Sequence, residues 1–438
     1  MTTRLLPSLK ATGLCLLLVL PPVQALELYA DDDTHLNANF LAVYGLFNSR
    51  KNYDGTGGGS TWREGFIKYG LSADQRLGEL GTVYGTANLV SSATWGDGDA
   101  AGISDGSERT TKFDEAFAGW RSGKLIPALG DDGLDLSFGR QVITLGDGFI
   151  INDDGLNFGK GPADGELNRG GAYYLAARHA FDKTAVLRLG GKDGLHGSLL
   201  WMKSDNRAQA NSELAASTLA YSAAPGTLEL TYIRGLNVDD RYASELQKQR
   251  EGMDIYSLRG AGDAGVDNAH FAFEYAWQNK DAGPEKAWYA EAGYTFAELP
   301  WRPDLTYRYS RYSEGWDAMF NGMNRGYGTW FQGEVTGNYS GPFNSNNDVH
   351  FVGLKATPVE ALTLGVLLFN YKTLHERDSL NLDGRELDLY AEWAVSEHLI
   401  ISPLLGLYQP RKSSDNGGNQ VGGNGTNVYS QLTIAVPF

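Results

Sequence analysis

The chain has 438 residues, 53 acidic against 37 basic and a formal charge of −16 at pH 7. That balance excludes nucleic acid as a partner, because polyanions are held by basic faces. With 12% aromatic residues, 23 tyrosines and 56 glycines, the composition is unusual for a soluble enzyme and suits a membrane barrel, where tyrosine and tryptophan form interfacial girdles and glycine serves turns.

At the N-terminus, Arg4 and Lys10 precede an apolar core from Gly13 to Leu20, and Val23-Gln24-Ala25 forms a small-residue cleavage site. This is the pattern of an export signal over residues 1–25. The mature chain, residues 26–438, then carries no thiol, since the single cysteine, Cys15, lies inside the signal. Beyond residue 25 no stretch approaches the roughly eighteen uninterrupted apolar residues of a membrane helix.

From Leu36 onward, segments of about ten residues alternate apolar and polar side chains, as the strands of a transmembrane barrel do. Leu36 to Phe47 is followed by a glycine-rich loop, Asp54 to Ser60. Phe66 to Ala73 and Thr82 to Ser91 flank a short polar turn, and Phe113 to Arg121 and Leu134 to Thr144 flank Pro127 to Gly133. Ala172 to Leu189 reads as one long strand or two short ones broken at Phe181-Asp182-Lys183, followed by Leu195 to Lys203. Leu214 to Ala223 and Leu228 to Leu236 flank the tight turn Ala224-Pro225-Gly226. Met253 to Arg259, Ala269 to Trp277, Ala287 to Phe296, Leu305 to Tyr312, Val349 to Ala356, Leu362 to Lys372, Leu387 to Trp393 and Leu399 to Tyr408 continue the rhythm. The last strand, Asn427 to Phe438, sets Val428, Leu432, Ile434, Val436 and Phe438 against Tyr429, Gln431, Thr433 and Ala435. Its terminal phenylalanine resembles the signal by which outer-membrane barrels engage their assembly machinery.

The tally predicts an all-β fold: one transmembrane antiparallel β-barrel of about eighteen strands in the bacterial outer membrane, with short periplasmic turns and an aqueous lumen. The long extracellular loops are Trp95 to Thr111, Gly146 to Gly170, Val238 to Gly252, Glu314 to Asn347 and Arg411 to Gly425. Phe271, Phe273, Tyr275 and Trp277 should face lipid, beside outer-membrane lipid and lipopolysaccharide as partners. Alternation turns Lys68, Arg121, Arg178, Arg188, Arg308 and Lys355 inward, together with Glu115, Glu229, Glu274, Glu291, Glu386, Asp388 and Glu392. Most lumen charges are expected to form cross-strand ion pairs that stiffen the wall.

Two segments carry a resemblance. Leu134 to Gly148 (LDLSFGRQVITLGDG) and Trp316 to Tyr339 (WDAMFNGMNRGYGTWFQGEVTGNY) resemble the alginate export family of outer-membrane barrels, whose fold has eighteen strands. The resemblance implies passive export of an anionic polysaccharide or related solute through an arginine-lined constriction, with periplasmic export partners. It also implies a lumen role for Arg140, which strict alternation places on the lipid side with Leu136 and Phe138 unless a bulge near Gly139 re-aims it. The mixed charge of the inward set suits a different channel, a diffusion porin that takes up small neutral or cationic nutrients.

No cofactor is expected. The loop Asp97 to Glu108 approximates a calcium-binding spacing at Asp97, Asp99, Gly102 and Glu108, but has Ala101 where a ligand belongs and no flanking helices. An acidic surface loop accounts for it more simply. Seven scattered histidines and the absence of Gly-x-Ser-x-Gly and HExxH argue against an enzyme and against a zinc site.

Overall fold

Residues 26–52, 56–322, 325, 333–335, 344–376, 381–418 and 423–438 are described by the structure, a computed structural model of the chain. The expected export signal, the start of the glycine-rich loop at Asp54 and much of the stretch from Trp316 to Tyr339 lie outside them. Among the described residues nineteen strands form one antiparallel sheet. They are β1 (Leu26–Ala30), β2 (Thr34–Ser49), β3 (Ser60–Arg76), β4 (Thr82–Gly96), β5 (Arg109–Arg121), β6 (Leu134–Gln141), β7 (Phe181–Leu189), β8 (Gly194–Lys203), β9 (Glu213–Ala223) and β10 (Gly226–Asn237). The sheet continues through β11 (Asp254–Gly262), β12 (Ala269–Lys280), β13 (Gly283–Thr295), β14 (Asp304–Tyr312), β15 (Asn347–Val359), β16 (Leu362–Thr373), β17 (Gly384–Ser396), β18 (Leu399–Pro410) and β19 (Asn427–Pro437).

The ring of eighteen closes where β19 pairs with β2, from Tyr429↔Ser49 to Pro437↔Leu41, and Phe438 N donates to Phe40 O at 2.9 Å. Closure removes the exposed sheet edge that lipid could not solvate. β1 is an addition that the alternation did not reveal. It pairs with the first residues of β2, from Leu26↔Ala38 to Ala30↔His35, and so continues the line of β19 beyond the wall.

The outer face is apolar. On β12 Phe271, Phe273, Tyr275 and Trp277 are each at least 40% exposed, whereas Ala272, Glu274, Ala276 and Gln278 behind them are buried, as expected. In-register Tyr232, Tyr256 and Trp277 form a lateral row on β10 to β12, with ring centroids 5.2 and 6.0 Å apart, the kind of row that suits an interfacial girdle. A wall with this much exposed aromatic and aliphatic surface is stable in hydrocarbon and not in water. The connections alternate as well. At the rim that holds both chain ends they are short, such as 77–81, 224–225, 360–361 and 397–398; at the other rim they include 97–108, 142–180, 238–253, 313–346 and 411–426. Bacterial barrels place the short turns in the periplasm.

Two of the long connections fold into the bore. In 142–180, Ile143, Phe149, Ile150, Ile151 and Leu175 are buried, and in 313–322 so are Trp316, Met319 and Phe320. Ile151 and Phe320 form a parallel bridge between the two segments. Tyr174 anchors the first segment on the wall through Trp62, Phe47 and Tyr429, at centroid distances of 4.9, 5.3 and 6.1 Å. Such pairs contribute roughly 0.5–1.5 kcal/mol each beyond area burial.

The expected strand from Ala172 to Leu189 is therefore corrected. Only Phe181–Leu189 is strand; residues 172–180 belong to the inward segment, where Ala172 and Ala176 have φ of 53° and 44°, incompatible with an extended chain. β6 likewise stops at Gln141 and not at Thr144.

Candidate solute pathway

Register brings the inward charges together in rows. Glu229, Arg259, Glu274 and Tyr289 stand side by side on β10, β11, β12 and β13, and the neighbouring row carries Glu291, Arg308 and Phe351 on β13, β14 and β15. Asp147 reaches this wall from the inward segment 142–180. It pairs with Arg259, accepts from Tyr289 OH at 2.5 Å and meets Arg325 Nε at 2.9 Å. Arg325, from the second long connection, also pairs with Glu291, which holds Arg308 at 3.3 Å. The Arg308 guanidinium lies 4.7 Å over the Phe351 ring. Three arginines thus face four carboxylates, and Glu274 answers Ser257 Oγ at 2.7 Å and no cation within ion-pair distance among the described residues. Burial alone raises the Asp147 carboxyl, but the guanidiniums of Arg325 and Arg259 reverse this and hold it below the ordinary carboxylate range.

Toward the extracellular rim a second network locks the inward segment to the wall. Asp205 accepts from Arg140 at 2.5 Å, Arg178 at 2.9 Å and Arg169 at 3.2 Å; Arg140 also holds Asp182 at 2.6 Å, and Arg169 holds Asp154 at 2.9 Å. Arg178 is not on a strand, as alternation had it, but on the buried end of the inward segment. Arg140 has the backbone register that alternation gave it. The irregularity opposite Gly139 falls on β7, where Asp182 and Lys183 face Arg140 alone, so Arg140 keeps the outward register of Phe138. Its guanidinium reaches Asp182 and Asp205 and so fastens the inward segment to the wall. Lys68 faces inward as expected and pairs with Asp114. A bulge opposite Asn88 and Leu89 turns both Asp114 and Glu115 inward while Phe113 stays in lipid.

At the periplasmic end, Arg121, Asp135 and Arg188 form one row across β5, β6 and β7, with Asp135 3.8 and 3.6 Å from the two arginines. Lys355 stands opposite Asp304 in register, beside a cavity of about 340 Å³ that His270, Thr306, Phe351 and Tyr390 also line. It makes no ion pair among the described residues. Two strands further on, Glu386 and Asp388 on β17 accept the backbone N–H groups of Val335 at 2.7 Å and Glu334 at 3.4 Å, tethering the second long connection.

The loop Asp97 to Glu108 spends its carboxylates internally. Asp99 accepts from Ser104 N and Oγ at 2.6 Å and from Ala101 N at 2.9 Å; Glu108 accepts from Asp105, Gly106 and Lys160 N–H groups; Asp97 accepts from Thr61 N. Among the described residues no group of three or more carboxylates, histidines or cysteines converges as a metal site would require.

Of the residues that build this charged cluster, Arg259, Tyr289, Asp147 and Arg325 were not among the sequence candidates. Arg259 was within reach, because Tyr256 and Leu258 mark the lipid face and leave Arg259 inward. Asp147 and Arg325 sit on connections, where no periodicity applies.

The closed ring of strands and the segment-narrowed bore define a transmembrane β-barrel of the bacterial outer membrane. Solved structures agree on the fold. The chain is similar to Pseudomonas aeruginosa OccK5 (OpdH), at 9% identity and TM-score 0.57 over 92% of this chain and 98% of that one. It is similar also to OccK7 (OpdD) of the same organism, at 14% identity and TM-score 0.55 over 93% and 99%, and to OccK11 (OpdR), at 14% and 0.53 over 92% and 96%. No protein-family model matches the chain, and no curated protein matches it.

Proposed function

We propose that this barrel is a diffusion porin through which small neutral or cationic solutes enter, selected at the constriction by charge and size. The observation that carries this reading is the imbalance at the constriction, where Asp147, Glu229, Glu274 and Glu291 surround Arg259, Arg308 and Arg325. Asp147 and Glu291 share the three guanidiniums between them, and Glu229 and Glu274 add carboxyl oxygens that make no ion pair among the described residues, so the wall offers a solute hydrogen-bond acceptors, with no step of covalent chemistry. The fold shared with the porins named above supports a channel, and the inward segments support a restrictive one.

Swelling of proteoliposomes in isosmotic solutes tests it. Lysine and a neutral sugar of similar size are expected to enter several-fold faster than glucuronate. Faster entry of glucuronate would overturn the reading and favour the second one, passive export of an anionic polysaccharide of the alginate type. That second reading draws support from Arg121 and Arg188, which flank the single carboxylate of Asp135 and remain about half exposed at the periplasmic mouth.

A further inference from the structure

A surface depression lies on the outside of the barrel. A groove of about 670 Å³ runs over β19, β2, β3, β4 and β5 on the lipid side, a size at which pockets hold ligands. Two cross-strand rows make it. In the row Ile434–Tyr44–Gly65–Ala93–Arg109 and the row Val436–Ala42–Ile67–Ser91–Thr111, small residues fall beside one another while Tyr44, Ile67 and the two β19 aliphatics stand as walls. Trp95, one row nearer the extracellular rim, tilts toward Tyr44 at a ring distance of 6.2 Å and roofs Gly65.

At the upper end of this apolar groove sits a cation. Arg109 is exposed on the outward register, and its guanidinium lies 4.7 Å over the Trp95 ring, fixed there by the carbonyls of Thr94 and Glu108. Arg63 occupies the outward position opposite Trp95. Neither makes an ion pair with a carboxylate among the described residues. Uncompensated guanidiniums above an apolar slot, at the headgroup level of the leaflet on the long-loop side, complement a molecule with a hydrocarbon tail and a phosphate.

We propose that this groove seats an acyl chain of lipopolysaccharide, with Arg109 holding a phosphate of its lipid A. The proposal rests on the barrel standing in the outer membrane and is independent of what the lumen passes. Native mass spectrometry of the detergent-solubilised full chain, titrated with hexa-acylated lipid A, tests it. The folded chain is expected to retain one lipid A. Retention should fall about tenfold in Arg109→Gln, in Ala42→Leu, which fills the groove floor from a lipid-facing position, and when the lipid A is dephosphorylated. Heat-modifiable migration in gels confirms that each variant is folded. Equal retention by wild type and variants overturns the proposal. So does a dimer that binds no lipid A and dissociates on Ala42→Leu substitution, since the groove would then be covered by a second copy of the chain.

Discussion

Asp205 is the residue on which the extracellular network turns, because one carboxylate there satisfies Arg140, Arg169 and Arg178. Burial pushes its carboxyl up, but the three guanidiniums outweigh burial and hold it at about 2. The folded value lies below the unfolded one of about 3.9, so the stabilisation is fully present above that value and is lost as pH falls through 2. Asp205→Asn leaves three partly buried guanidiniums short of a charge and is expected to cost about 3–5 kcal/mol. Urea unfolding in phospholipid vesicles measures this, and the stability of the variant should fall less steeply than that of the wild type as pH drops from 4 to about 2. At the constriction, Asp147→Asn removes the negative partner shared by Arg259 and Arg325. Glucuronate entry into proteoliposomes should then rise relative to lysine, and an unchanged ratio would show that Asp147 does not set selectivity.

At the level of elements, β12 shows the two faces most plainly. Phe273 lies near the middle of the strand on the lipid side, so Phe273→Arg is expected to cost about 2–4 kcal/mol of folding free energy in a bilayer. Phe273→Leu should cost far less, and equal losses from the two substitutions would argue against a lipid-facing surface. This two-faced rhythm is why the strands of the ring were legible in the sequence: period-two alternation is local, and lipid outside and water inside stamp it on every segment. The same physics misled at Ala172 to Ala180, where apolar residues are buried against the bore and not against lipid, and composition alone does not distinguish the two. β1 escaped because five residues before a run of aspartates are too short to show a period. The facing of Arg140 depended on which of two paired strands carries the extra residue, and that is settled only by their register. Lys68 and Arg308 were read correctly as inward because their strands are regular. Asp147 and Arg325 were illegible because their positions are set by the contacts of folded-in connections.

As a whole molecule, the chain is a ring whose outside is solvated by lipid and whose inside is narrowed by two of its own connections, bridged at Ile151 and Phe320, joined to each other by Asp147 and Arg325, and fastened by charge to the wall at Arg259 and Glu291. The wall supplies the cylinder, and the connections narrow it. Interior apolar packing of Phe149 against Tyr289 and Tyr312, at 5.2 and 5.7 Å, keeps the first connection in place without covalent help. The central claim is that this ring conducts, through a bore with excess carboxylate. Single-channel recording in a planar bilayer under a KCl gradient tests that claim most directly. Discrete ohmic steps with a reversal potential on the cation-selective side are predicted; silence of the folded, inserted protein, or a reversal potential on the anion-selective side, would contradict it.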